Sequence, residues 1–182
     1  IMEWEIIGSM SGTSLDGLDI AWCRFAETEG QWEYQILSAE THPYPKEIEN
    51  RLRSAHLMSA EELIRLDIDY GNYCGKQMLT FSKRNSIGPD VPIASHGHTV
   101  FHRPDLGYTL QLGHGAAIAA ASNRMVVCDF RTGDVALGGQ GAPLVPAGDA
   151  LLFPMYDACL NLGGFANISF EHDGQRKAFD IC

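Results

Sequence analysis

The 182-residue chain has no apolar run long enough to cross a bilayer, no Cys-x-x-Cys pair and no stripe of basic residues. The first absence excludes a helical membrane span. The second disfavours a zinc ribbon or a disulfide framework, because Cys23, Cys74, Cys128, Cys159 and Cys182 are odd in number and widely spaced. They read as buried thiols, and the expected compartment is the reducing cytoplasm. The N-terminus also lacks a signal-peptide pattern. With 13 basic and 23 acidic side chains the formal charge is −10, which works against nucleic acid and anionic membranes as partners. Repeats, low-complexity tracts and linkers are missing as well, so one globular domain with a real core is expected. The last residues, Phe179-Asp180-Ile181-Cys182, carry no helix stop or polar tail, and the expectation is a chain truncated there.

What is present is glycine, arranged in loops between strand-like runs. Trp4 to Met10, Leu18 to Phe25 and Gln31 to Thr41 predict a β-meander. From Lys46 the period turns helical, with Ile48 and Leu52 on one face. Ser59 and Glu62 form a capping-box signature for a long helix ending near Asn85, with Gly71 and Gly75 expected to weaken its middle. Val91 to Ser95 and Tyr108 to Leu112 are short strands delivering the loops His96-Gly97-His98-Thr99 and Gly113-His114-Gly115. A small-residue helix is expected over Ala116 to Ser122 and a strand over Met125 to Phe130. That strand ends in Arg131-Thr132-Gly133-Asp134, the densest glycine loop follows at Gly138 to Gly141, and a further helix is expected near Ala147 to Phe153. Strands over 157–162, 166–170 and 177–181 form a closing meander. The sum is α/β, a mixed sheet flanked by helices, with its polar loops at strand ends where ligands collect.

The loop Gly8-Ser9-Met10-Ser11-Gly12-Thr13-Ser14-Leu15-Asp16-Gly17-Leu18-Asp19 is the organising stretch. Its glycines permit positive φ and close backbone approach, and Ser11, Thr13 and Ser14 offer hydroxyls to phosphate oxygens. Asp16 and Asp19 suit Mg²⁺ held against a nucleotide. No Gly-Lys-Ser/Thr closes this loop, and it does not open a helix, so it is neither a P-loop nor a dinucleotide fingerprint. The histidines His96, His98, His102 and His114 lack metal-ligand spacing, and His96 and His98 are expected on opposite faces rather than converging. Arg131 and Asp134, taken alone, read as a surface ion pair.

Met-Ser-Gly-Thr-Ser-Leu-Asp-Gly-Leu-Asp resembles the N-terminal signature of the anhydro-N-acetylmuramic acid kinases, members of the sugar kinase, actin and heat-shock ATPase superfamily. Three further stretches resemble that family in the same order: Ser95-His96-Gly97-His98-Thr99, where the family has Gln in the place of His98; Asp129-Phe130-Arg131 through Asp134 and Gly138-Gly139-Gln140-Gly141 to Pro146; and Asn161-Leu162-Gly163-Gly164 with Asn167. The resemblance implies an actin-like, ribonuclease H-like domain spanning residues 1–182. It implies ATP and Mg²⁺ at Gly12, Thr13, Ser14, Leu15, Asp16, Gly17, Leu18 and Asp19, with Asp16 and Asp19 nearest the metal. A muramic sugar would lie against His96, Thr99, Arg131 and Asp134, with Arg131 forking onto the lactyl carboxylate. Asp180 matches the family's catalytic aspartate, although Ile181 and Cys182 replace the Gly-Pro that usually follows.

The implied reaction opens the 1,6-anhydro ring of anhydro-N-acetylmuramic acid with water and phosphorylates O6, in bacterial cell-wall recycling. The implied partners are the sugar and ATP, with a homodimer as a candidate assembly. The family protein is about twice this length, against a typical ~100 to 200 residues per domain, so the isolated chain is expected to be inactive. Three alternatives compete: a metal-dependent hydrolase built on the histidines, a catalytically silent nucleotide-binding module, and a kinase for another sugar.

Overall fold

The computed structural model describes residues 1–141, 144–162 and 166–181. Three antiparallel strands open the chain: β1 (Met2–Ser11), β2 (Leu18–Thr28) and β3 (Gln31–His42). Alternation along β1 turns Ile7, Ser9 and Ser11 inward. The β2–β3 turn is Glu29-Gly30, both at positive φ, as a two-residue hairpin turn requires. The expected meander is therefore present, with longer strands.

The chain then crosses over through α1 (Lys46–Ser54), a short 3₁₀ turn and α2 (Ala60–Arg84) to β4 (Ile93–Arg103), which pairs parallel with β1. The capping box is formed: the Glu62 amide donates to Ser59 Oγ, and the Ser59 amide donates to the Glu62 carboxylate. On α2, Leu66, Tyr70, Cys74, Met78 and Phe81 form one buried stripe at helical spacing, packed over Ile7, Ile20 and Ile93 of the sheet.

Gly71 and Gly75 do not weaken this helix. They form a notch that admits α3 (Gly115–Ser122), the small-residue helix, at close range. A Cβ on Gly75 would lie 2.7 Å from both Ala121 Cβ and the Ile118 carbonyl, and one on Gly71 would lie 2.8 Å from the His114 carbonyl. The propensity lost at two glycines is exchanged for contact between helices.

β4 continues well past Ser95, so His96 to Thr99 is strand and not loop. Its second half pairs with β5 (Tyr108–Leu112), and its first half pairs with β6 (Val126–Cys128), which is shorter than the sequence suggests. The resulting six-stranded sheet runs β3-β2-β1-β4-β5, with β6 also on β4. Arg131 to Asp134, expected as the end of that strand, instead enters a short helix, α4 (Thr132–Ala136). After α5 (Leu144–Leu152), the strands β7 (Ala158–Leu162), β8 (Ala166–His172) and β9 (Gln175–Asp180) form a separate three-stranded antiparallel sheet. The closing meander is thus observed, but on its own sheet. The expected turn at Gly163-Gly164 and Cys182 lie outside the described residues. No helix among the described residues is long and apolar enough to cross a membrane.

Candidate active site

β1, β4 and β6 run parallel, so their C-terminal ends share one edge of the sheet. Three of the motifs leave from this edge: Gly12 to Asp19 from β1, His96 to Thr99 along β4, and Asp129 to Asp134 after β6. Such an edge is where a mixed α/β sheet gathers its ligands.

The β1–β2 connection is held by its apolar residues. Leu15 and Leu18 are buried in the core, with Leu15 at φ 57° and its amide bonded to the Gly12 carbonyl. Their side chains anchor the loop, leaving only their backbone for a ligand. Gly17 is required, because a Cβ there would lie 2.6 Å from the His42 carbonyl. Thr13, Ser14, Asp16 and Asp19 face solvent. Ser14 Oγ donates to Asp16 at 3.0 Å, and Thr41 donates to Asp19 at 2.6 Å, so each carboxylate is oriented and keeps one oxygen free of protein partners among the described residues. Two exposed, oriented carboxylates beside exposed hydroxyls and turn amides fit Mg²⁺ with phosphate oxygens. Ser11 departs from expectation: its hydroxyl is buried and bonded to His98 Nδ1 at 3.0 Å, pointing away from the loop's open side.

The two histidines do separate, for a reason the sequence reading did not contain. Simple alternation would put residues 96 and 98 on one face of a strand. A bulge intervenes: β4 spends three residues, from Ser95 to His98, where β1 spends two, from Ser9 to Ser11. Gly97, at φ 75°, carries the bulge, and a Cβ there would collide with the Leu112 carbonyl. Ser95 and His98 therefore both face Ser9 and Ser11 on the helix side, with Ser9 Oγ 3.2 Å from Ser95 Oγ. His96 is left on the other side.

There His96 meets Arg131. Burial, reinforced by the Arg131 charge, lowers the His96 pKa, while the Gly97 carbonyl opposes that shift. The ring is neutral at physiological pH. Arg131 Nε donates to His96 Nε2 at 2.9 Å, which leaves the ring proton on Nδ1, where it reaches the Gly97 carbonyl at 3.0 Å. Arg131 Nη1 donates to the Gly141 carbonyl at 2.7 Å, and Asp134 Oδ2 accepts from the Gly141 amide at 2.6 Å. Arg131 and Asp134 are thus no surface ion pair. They clamp the two ends of Gly141, fixing the glycine-rich turn against them. Gly141 sits at φ 66°, and a Cβ there would lie 2.7 Å from Val135, so the clamp needs glycine. Burial pushes the Arg131 pKa below its usual value, yet an arginine remains charged. Among the described residues its Nη2 and one Nη1 hydrogen have no protein partner and can meet an anion.

Thr99 lies on β4 opposite Gln111, whose Nε2 is 3.4 Å from Thr99 Oγ1. Asp180 ends β9 in the other sheet, is exposed, and has no hydrogen bond or ion pair to the residues above among those described. The histidines do not form a metal centre: both nitrogens of His96 are engaged, and no group of three or more His, Cys, Asp or Glu side chains is placed to hold a metal among the described residues. The sequence reading missed Tyr44 and Tyr70, whose hydroxyls meet at 2.8 Å close to Ser11. Only their helical or strand-end position was legible, not their convergence.

Comparison with known proteins bears on the same residues. A family model described as anhydro-N-acetylmuramic acid kinase matches residues 4–182. An anhydro-N-acetylmuramic acid kinase of Trichormus variabilis is 38% identical over 180 residues, covering 91% of this chain and 46% of the relative. One from Pseudomonas syringae pv. syringae is 38% identical over 189 residues, covering 98% of this chain and 50% of the relative. The chain spans about half the length of the curated relatives it matches.

Proposed function

The chain belongs to the anhydro-N-acetylmuramic acid kinase family, and we propose from that premise that the full-length protein opens 1,6-anhydro-N-acetylmuramic acid with water and phosphorylates it at O6, using ATP and Mg²⁺. The mixed sheet with its helices is the sugar kinase and actin-like ATPase fold of that family. In this reading residues 1–182 carry the N-terminal domain and reach the start of the second, which the β7–β9 sheet opens. The observation that carries the proposal is the convergence of three family motifs on one edge of three parallel strands.

The roles follow from chemistry. The amides and hydroxyls of Gly12 to Gly17 would receive phosphate oxygens, and Asp16 and Asp19 would hold Mg²⁺, which when bound would neutralise charge on the transferred group. Leu15, Leu18 and Gly17 keep the turn in shape for that contact. Arg131, with its remaining N–H groups, receives the lactyl carboxylate, and His96 holds the guanidinium in place from behind. Thr99 and Asp134 border the sugar. Asp180 takes a proton from the water that attacks the anomeric carbon. The bond from that carbon to the bridging O6 breaks, and O6 attacks the γ-phosphorus. Closure of the second sheet's domain over the first would bring Asp180 to the sugar and exclude bulk water. An ATP supply places the work in the cytoplasm.

The test is ADP release by the full-length protein. It should require both the anhydro sugar and Mg²⁺. Release at the same rate without sugar, or with ordinary hexoses in its place, would contradict the assignment.

A further inference from the structure

We propose that His98 is a positioning residue for the Gly12–Gly17 loop, holding the Ser11 hydroxyl and thereby fixing the point at which the chain leaves β1. This inference rests on reading that loop as the nucleotide's phosphate cradle.

Ser11 is the last residue of β1, and the loop begins at the next position. Its hydroxyl is buried and is the meeting place of four segments. β4 brings His98 Nδ1 to 3.0 Å. The segment before α1 brings Tyr44 and α2 brings Tyr70. Their hydroxyls hydrogen-bond to each other at 2.8 Å, close to Ser11. Ser11, Tyr44, Tyr70 and His98 are all buried. A hydroxyl so placed has one proton to give and lone pairs to accept. The tyrosine hydroxyls are paired with each other, and the acceptor within hydrogen-bonding distance of the serine's proton is His98 Nδ1. Neutral His98 supplies that acceptor at Nδ1, which fixes its proton on Nε2.

The bulge at Gly97 makes this possible. In an unbulged strand the residue opposite Ser11 would be Gly97, with nothing to offer. The extra residue moves His98 into that register, and the positive φ that this demands is met by a glycine. A bulge beside a site that re-aims one side chain is a recognised use of the device. The result is that the exit from β1 is tied sideways to β4, while Thr13, Ser14 and Asp16 stay open.

The test uses the full-length protein, with Mg²⁺–ADP as the probe in calorimetric titrations. His98→Leu removes the acceptor, Ser11→Ala removes the hydroxyl, and His98→Asn restores a hydrogen-bonding atom near the position of Nδ1. Each of the first two should weaken nucleotide binding about tenfold, the effect of one lost hydrogen bond. The double variant should be no worse than either single one, and His98→Asn should recover most of the affinity. ¹⁵N spectra should show the wild-type ring protonated at Nε2. Wild-type affinity in Ser11→Ala, or in a folded His98→Leu, overturns the inference. If His98→Leu fails to fold, Ser11→Ala and His98→Asn decide it alone. Failure of the wild-type protein to bind Mg²⁺–ADP would instead remove the phosphate-cradle reading, and the inference with it.

Discussion

Arg131 Nε donates to His96 Nε2 across 2.9 Å, joining the end of β6 to the middle of β4 over 35 residues of sequence. The same guanidinium bonds the Gly141 carbonyl, so its position is set from two sides before any ligand arrives. A lysine keeps the charge but cannot hold both partners and present a fork. Arg131→Lys and Arg131→Ala should each weaken binding of the muramic sugar by ~10- to 100-fold, the range of a charge-assisted hydrogen bond. Calorimetric titration with the sugar reads this, with Mg²⁺–ADP as the control that should not change. Unaltered sugar affinity in either variant would remove Arg131 from the site.

His98 predicts an acid limit to stability. Its pKa is lowered from 6.5 to about 4, first by burial and then by the neighbouring His96. Between those values the unfolded chain binds a proton that the folded chain refuses, so stability rises with pH across the window. The contribution is whole above pH 6.5 and is lost as pH falls toward 4, amounting to ~3 kcal/mol at 1.36 kcal/mol per unit. His96, shifted in the same direction, adds to it. Urea unfolding at pH 7 and pH 4.5 measures the difference. It should be clearly smaller in His98→Asn, and equal slopes in the two proteins would contradict the assignment.

Gly75 separates propensity from packing. On helix propensity alone, Gly75→Ala would gain ~1 kcal/mol. The new Cβ would lie 2.7 Å from Ala121 and from the Ile118 carbonyl, so the expected result is a loss of ~1 to 3 kcal/mol as α3 is pushed away. Gly88→Ala, with nothing within 4 Å of its Cβ, should stay within ~0.5 kcal/mol. Urea midpoints for the two variants settle the sign, and a stabilised Gly75→Ala would mean that the α2–α3 notch is looser than described.

The parts of this fold carried by period and caps were legible in the sequence: the opening meander, the Ser59–Glu62 cap and the stripe from Leu66 to Phe81. What depended on a neighbour was not. β4 runs on through His96 because β5 returns to pair with it, and no local signal marks that pairing. The inward turn of His98 needs the bulge at Gly97, which is visible only against β1. Gly71 and Gly75 look like flaws until α3 lies on them. At the site, the glycine loops and polar residue types were legible, but not that Ser11 turns inward or that Arg131 and Asp134 share Gly141. Asp180 is the clearest remainder. Its motif is legible, yet it stands on a second sheet with no bond to the rest of the site among the described residues.

Asp180 is therefore the residue on which the proposed chemistry turns. The full-length protein, as wild type and as Asp180→Asn, should be incubated with Mg²⁺–ATP and 1,6-anhydro-N-acetylmuramic acid in ¹⁸O-labelled water, with mass spectrometry of the product. The account predicts a sugar phosphate carrying one labelled oxygen from the wild type, with little or none from the variant. A ring-opened sugar without phosphate, or labelled sugar phosphate formed equally well by Asp180→Asn, would contradict it.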